Sequence, residues 1–168
     1  MTVKLLGHRI HPTLVCFPIG LLGGSVAFDV AYLCSGHERW SDISFWTLVG
    51  GVISGLIAAP FGSMDWLSIP MGTRAKRIGL YHGATAILAV AMFAGSGWLR
   101  HENPTDPDTY AMILSFVGVV VLLIAGWLGG ELVERLGIGV DAGAHANSPS
   151  SLSGRPAIDD SGTTSEFR

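Results

Sequence analysis

The chain has 168 residues, the length of one ordinary domain. Of these, 49% are hydrophobic and only 14% charged, and the mean hydropathy is +0.47. A net charge of −3 with no basic stripe excludes nucleic acid as a partner. The gathering of apolar residues into long blocks excludes an ordinary soluble domain, whose helices would each need a polar face.

The first block is introduced by "GHRIHPTLVCFPIG". His11 and Pro12 stand at its threshold, and proline is at home in a first helical turn. Pro18 follows inside the block and cannot donate to the carbonyl of Leu14. The sequence predicts a membrane-spanning helix over 14–34. Cys16 and Cys34 lie on it, too far apart to bridge each other at about 1.5 Å rise per residue. Asp29 sits toward its far end, where Arg100 is the predicted partner.

The first loop, "SGHERWSDIS", carries one arginine and two acids. A second helix is predicted over 44–64, interrupted by Pro60 and followed at once by Asp65. The second loop, "SIPMGTRAKRIG", carries Arg74, Lys76 and Arg77 and no acid. A third helix is predicted over 79–99, with His82 in its first turn. The third loop, "RHENPTDPD", has one arginine and three acids. A fourth helix over 110–130 contains "MILSFVGVVVLLIAGWLGG", which is apolar on every face. About 20 helical residues cross the roughly 30 Å hydrocarbon core, so each block suffices. The fold expected is all-α, an integral membrane four-helix bundle over residues 1–140. Residues 141–168, rich in Ser, Gly, Ala and Pro, are expected to form a disordered tail.

Lysine and arginine mark the cytoplasmic side. Lys4, Arg9 and the Arg74–Arg77 loop therefore place both termini in the cytoplasm of a multi-pass protein. Trp40, Trp46, Trp66 and Trp98 fall near helix ends, where indole rings favour the interface. Small residues recur four apart at Gly20/Gly24, Gly51/Gly55, Gly79/Gly83 and Gly126/Gly130. That spacing suits close helix packing first; the sharper alternative is that the glycines make room for a flat cofactor.

A short internal repeat links the two halves. "LIAAPFGSMDWL" and "LIAGWLGGELV" each read Leu-Ile-Ala, then a glycine six residues after the leucine, then an acid. Each half thus opens on a histidine and closes on a carboxylate, as two pseudo-repeated helical hairpins. The topology brings His11, Asp65, His82 and Glu131 to one depth near the cytoplasmic end. Each has a plain structural reading: a helix cap for His11, headgroup contact for Asp65, an ion pair with Arg135 for Glu131. His82, in an apolar helix between Gly79 and Gly83, fits such a reading least well. Ionisable groups within a membrane usually face the interior and pair. The four together predict one polar site, with His11 and His82 as cofactor ligands and Asp65 and Glu131 joining them around a metal.

The segments "HPTLVCFPIGLL", "GSMDW", "GLYHGATA" and "GGELVERLGIGV" together resemble the domain-of-unknown-function 2231 family of bacterial four-helix membrane proteins. The resemblance runs over roughly residues 5–140. Many members have a histidine where this chain has Cys16, and some have one where Glu131 stands. It implies the fold and a bacterial inner-membrane location. Members joined to Rieske-type or cytochrome c-type domains imply a redox neighbourhood by association.

The function expected is a small membrane redox-associated protein carrying haem b or a transition metal such as Zn, Fe or Mn. Two other classes use the same features: a small transporter or proton relay, and a non-catalytic packing subunit of a membrane complex. The partners expected are the lipid bilayer, a redox protein or a second copy of the chain. No activated nucleophile motif points to a hydrolase, and whether the chain is an enzyme is left open.

The orientation is testable by labelling single cysteines in a chain with Cys16 and Cys34 replaced. Asp42→Cys and Asp106→Cys should react with an impermeant thiol reagent on intact cells, and Thr73→Cys only after permeabilisation. The reverse pattern would invert the topology.

Overall fold

A computed structural model describes residues 4–157. A two-residue strand pair, β1 (Lys4–Leu5) and β2 (His8–Arg9), leads into a short helix α1 (Ile10–Leu14) and then α2 (Cys16–Ser35). The long helices α3 (Glu38–Leu67), α4 (Arg74–Arg100) and α5 (Thr109–Gly130) follow. A π-helical turn, Glu131–Arg135, extends α5. Four spans, Ile10–Ser35, Glu38–Leu67, Arg74–Arg100 and Thr109–Arg135, are each long and apolar enough to cross a membrane. The chain is an all-α four-helix membrane bundle.

The helices run longer than the apolar blocks because polar residues at their ends also take helical conformation. Thr73 caps α4 by accepting from the Lys76 amide, and Asp108 caps α5 by accepting from Tyr110. The third helix therefore begins at Arg74 rather than 79, and His82 lies about two turns inside it. Pro18 leaves its mark at Val15, where the first span is interrupted between α1 and α2. Pro60 is accommodated inside α3 without a break.

α2 packs against α3 and α4 against α5 as two hairpins, which meet through α3 with α4 and α2 with α5. α2 and α4 therefore occupy one diagonal of the bundle. The end holding the N-terminus and the α3–α4 connection is called here the near end, and the other the far end. Leu22, Val26, Leu48, Ala89, Phe93 and Leu122 form the central core. A smaller cluster of Ile69, Ala75 and Leu132 closes the near end, with Trp66 packed on it. Large apolar side chains such as Phe17, Leu56, Ile87, Leu123 and Trp127 face outward. No more than 39% of any span's most apolar stretch is buried within the chain, so most of its apolar surface is left for lipid.

The recurrent glycines divide into two groups. A Cβ on Gly51 would stand 2.7 Å from Leu22 Cγ, and one on Gly79 would stand 2.7 Å from Trp66 Cδ1. Gly55 meets Val90 at 3.1 Å by the same measure. Gly20, Gly83, Gly126 and Gly130 would meet nothing within 4 Å. Trp66 does more than mark an interface. Its Nε1 donates to the Lys76 carbonyl, while Lys76 Nζ donates to the Trp66 carbonyl and lies 4.0 Å over the indole. This clasp closes the α3–α4 connection and turns Lys76 inward.

After Leu136 the chain makes turns and one 3-10 turn, Ser151–Ser153. Lys4 Nζ bonds Asp141 at 2.6 Å, and the ammonium holds that carboxyl below the usual carboxylate range. The expected tail extends to 168, and its residues 158–168 lie outside the described residues.

The seat of Leu22 on Gly51 makes a sharp prediction. A methyl at Gly51 would also come 3.1 Å from the Leu22 backbone nitrogen, so a rotamer change alone cannot relieve it. Gly51→Ala should lower stability by about 1–3 kcal/mol, read as the thermal midpoint in detergent micelles. Gly20→Ala should leave that midpoint unchanged.

Candidate functional site

The sequence places a histidine at the start of each hairpin, and the fold brings the two together. His11, on α1, and His82, on α4, reach inward across the bundle diagonal at the near end. Their ring centroids are 6.3 Å apart and their planes are inclined at 79°. Both side chains are only part-exposed.

The two imidazoles are held in the same way. His11 Nδ1 lies 3.2 Å from the Ala58 carbonyl on α3, and His82 Nδ1 lies 2.8 Å from the Ala125 carbonyl on α5. A carbonyl only accepts, so each Nδ1 carries the proton and donates it. In the neutral ring this leaves the lone pair on Nε2. Neither Nε2 has a hydrogen-bond partner among the described residues. One helical turn beyond each alanine is a glycine that makes room for the ring. A Cβ on Gly62 would be 2.7 Å from His11 Cε1, and one on Gly129 would be 3.2 Å from His82 Cε1.

These parallels extend through both halves at matched spacings. His11, Leu22, Ser25 and Asp29 are spaced along the first span as His82, Phe93, Ser96 and Arg100 are along the third. Gly51, Ala58 and Gly62 are spaced on α3 as Gly118, Ala125 and Gly129 are on the fourth span. Leu22 covers Gly51 just as Phe93 covers Gly118. The short sequence repeat is thus the visible part of a repeat in packing, and the histidines occupy equivalent places in it.

The carboxylates are oriented otherwise. Asp65 faces Arg9 at 3.5 Å, both mostly buried, and Glu131 pairs with Arg74 rather than Arg135. Neither acid bonds an imidazole among the described residues. No three His, Cys, Asp or Glu side chains among the described residues come together as a metal-holding group. Cys16 is exposed, with its Sγ on the Thr13 carbonyl, and stands apart from the histidines. The near end therefore presents an imidazole pair flanked by two arginine–carboxylate pairs. The Ala58 and Ala125 carbonyls are absent from any sequence motif, since every residue has one. Gly62 and Gly129 were visible as members of the repeat but not as the seats of rings.

At the far end, Asp29 and Arg100 meet across the same diagonal as expected. Arg100 Nη1 donates to Asp29 Oδ1 at 2.9 Å, and Nη2 donates to Oδ2 at 3.2 Å. Both side chains are 0% exposed.

A family model described as predicted membrane protein (DUF2231) matches residues 7–142. No curated protein and no solved structure matches the chain.

The glycine seat of His11 can be tested directly. Gly62→Ala should displace the ring and break its bond to Ala58, giving mixed Nδ1–H and Nε2–H tautomers in 15N NMR of labelled histidine. Gly83→Ala, where a Cβ meets nothing within 4 Å, should leave both histidines in the Nδ1–H form.

Proposed function

The chain belongs to the DUF2231 family of predicted membrane proteins, and from that premise we propose a small redox-associated membrane protein that binds haem b or a transition metal through His11 and His82. The observation that carries this reading is the imidazole pair itself. Metal-ligating histidines characteristically donate their other ring N–H to a carbonyl or carboxylate, which sets the tautomer and the ring orientation. Both histidines already do so, to Ala58 and Ala125. His11 and His82 would hold such a group between them, since each keeps its Nε2 lone pair free of any partner among the described residues. Cofactor sites in helix bundles are commonly built from facing helices in this manner.

Charge separates the two candidate groups. A neutral imidazole pair beside two arginine–carboxylate pairs carries no net charge. A bare divalent ion would require Asp65 or Glu131 to leave its guanidinium, whereas haem b would bring a neutral ferrous core and two propionates that could share Arg9 and Arg74. The balance favours haem b, which would supply a one-electron carrier. Asp65 and Glu131 then hold Arg9 and Arg74 at the mouth of the site and enter the ligand set only for a free metal. The Lys/Arg bias supports a bacterial inner-membrane protein with the near end and both termini in the cytoplasm. A redox protein would then dock there.

The test is the visible spectrum and elemental analysis of the full-length protein purified in detergent, before and after reconstitution with haem. A Soret band that sharpens on reduction is expected, and His11→Ala and His82→Ala should each abolish low-spin coordination. Cys16→Ser should leave the spectrum unchanged. A protein that takes up neither haem nor stoichiometric metal would overturn the reading.

A further inference from the structure

Asp29 and Arg100 hold equivalent places in the two hairpins. They stand at the same spacing from His11 and His82, and from Ser25 and Ser96. The histidines and serines at those places are identical between the halves. Asp29 and Arg100 are instead opposite in charge. We infer that this pair is the pairing key of a duplicated fold: it makes each hairpin complementary to the other hairpin and not to a second copy of itself.

The surroundings show how demanding the position is. Besides the two bonds to Asp29, Arg100 Nη2 donates to Ser96 at 3.1 Å and to Ser115 at 3.1 Å. Arg100 Nη1 lies 3.3 Å from Ser44 Oγ, and Ser44 in turn donates to Asp29. Serines from both hairpins therefore join the network, all its members are fully buried, and of the guanidinium nitrogens Nε alone finds no partner among the described residues. Docking two first hairpins would set Asp29 against Asp29. Docking two second hairpins would bury two guanidinium groups with no carboxylate. Either leaves uncompensated charge in a low-dielectric interior, which is far costlier than the native pairing. The rest of the shared surface is much less selective. Leu22, Leu48, Phe93 and Leu122 are apolar and would pack in either arrangement.

A purely stabilising role is the weaker account, because replacing a buried ion pair by apolar groups of similar size is often neutral or favourable. Selection between partners is what the apolar replacement would lose. The duplicated construction makes that selection necessary, since every cell making this chain holds many copies of both hairpins.

The experiment uses full-length chains carrying two different affinity tags, expressed together and extracted in detergent. Folded yield and co-purification of the two tags are measured. Asp29→Arg alone and Arg100→Asp alone should each lower folded yield roughly tenfold or more, by creating like charges in the core. The double reversal, Asp29→Arg with Arg100→Asp, should restore it. The neutral pair, Asp29→Leu with Arg100→Met, should stay folded and show several-fold more co-purification than the parent chain, through first hairpins docking on first and second on second between copies. Three results overturn the inference. One is a neutral pair that co-purifies no more than the parent. Another is a neutral pair that fails to fold, which would make the ion pair a stabiliser alone. The third is a double reversal that does not recover.

Discussion

The ion pair between Asp29 and Arg100 is the constraint around which the bundle is organised. Each charge is tolerable in a dry interior only when the other hairpin delivers its partner with the right direction and register. Bidentate geometry and three serines leave little freedom in how the hairpins meet. With the far end held in this way, the helices run together through an apolar layer of Leu22, Leu48, Phe93 and Leu122. From His11 to Asp29 the chain climbs on the order of 25 Å at about 1.5 Å per residue. The two polar levels are therefore separated by nearly the roughly 30 Å thickness of a hydrocarbon core, with an apolar layer between them.

At the near end the same pseudo-twofold relation has a different outcome. There the equivalent residues are identical, and two histidines face each other with matching supports. Each ring is held by a carbonyl and seated on a glycine one turn further along the same helix. Holding both Nδ1 atoms as donors directs the basic nitrogen of each ring away from its own carbonyl. The acids beside them are engaged by Arg9 and Arg74. This arrangement separates the imidazoles, which are available, from the carboxylates, which are occupied.

Much of this was legible before any coordinates. Four blocks without a polar face dictate four membrane helices, because hydrocarbon admits only backbone that satisfies its own hydrogen bonds. Opposite charges on different apolar helices announce each other, so Asp29 and Arg100 could be matched from their positions alone. The two histidines could be brought to one end by topology. The start of the third helix could not be placed, because Thr73 caps it in a polar segment that hydropathy reads as loop. Nor could the partner of Glu131 be chosen, since Arg135 is near in sequence and Arg74 is near in space.

What the sequence by itself determined is therefore the membrane fold, the number of spans and the end at which the ionisable residues gather. These follow from transfer energies, which depend on residue type and spacing. Tertiary structure alone decided that His11 and His82 face each other while Asp65 and Glu131 turn to arginines, and that Gly62 and Gly129 are the seats of the rings. It also revealed how far the two halves repeat one another. Those outcomes depend on backbone carbonyls and on the absence of side chains at glycine, which have no distinctive letter in a sequence and acquire meaning only when another helix is packed against them.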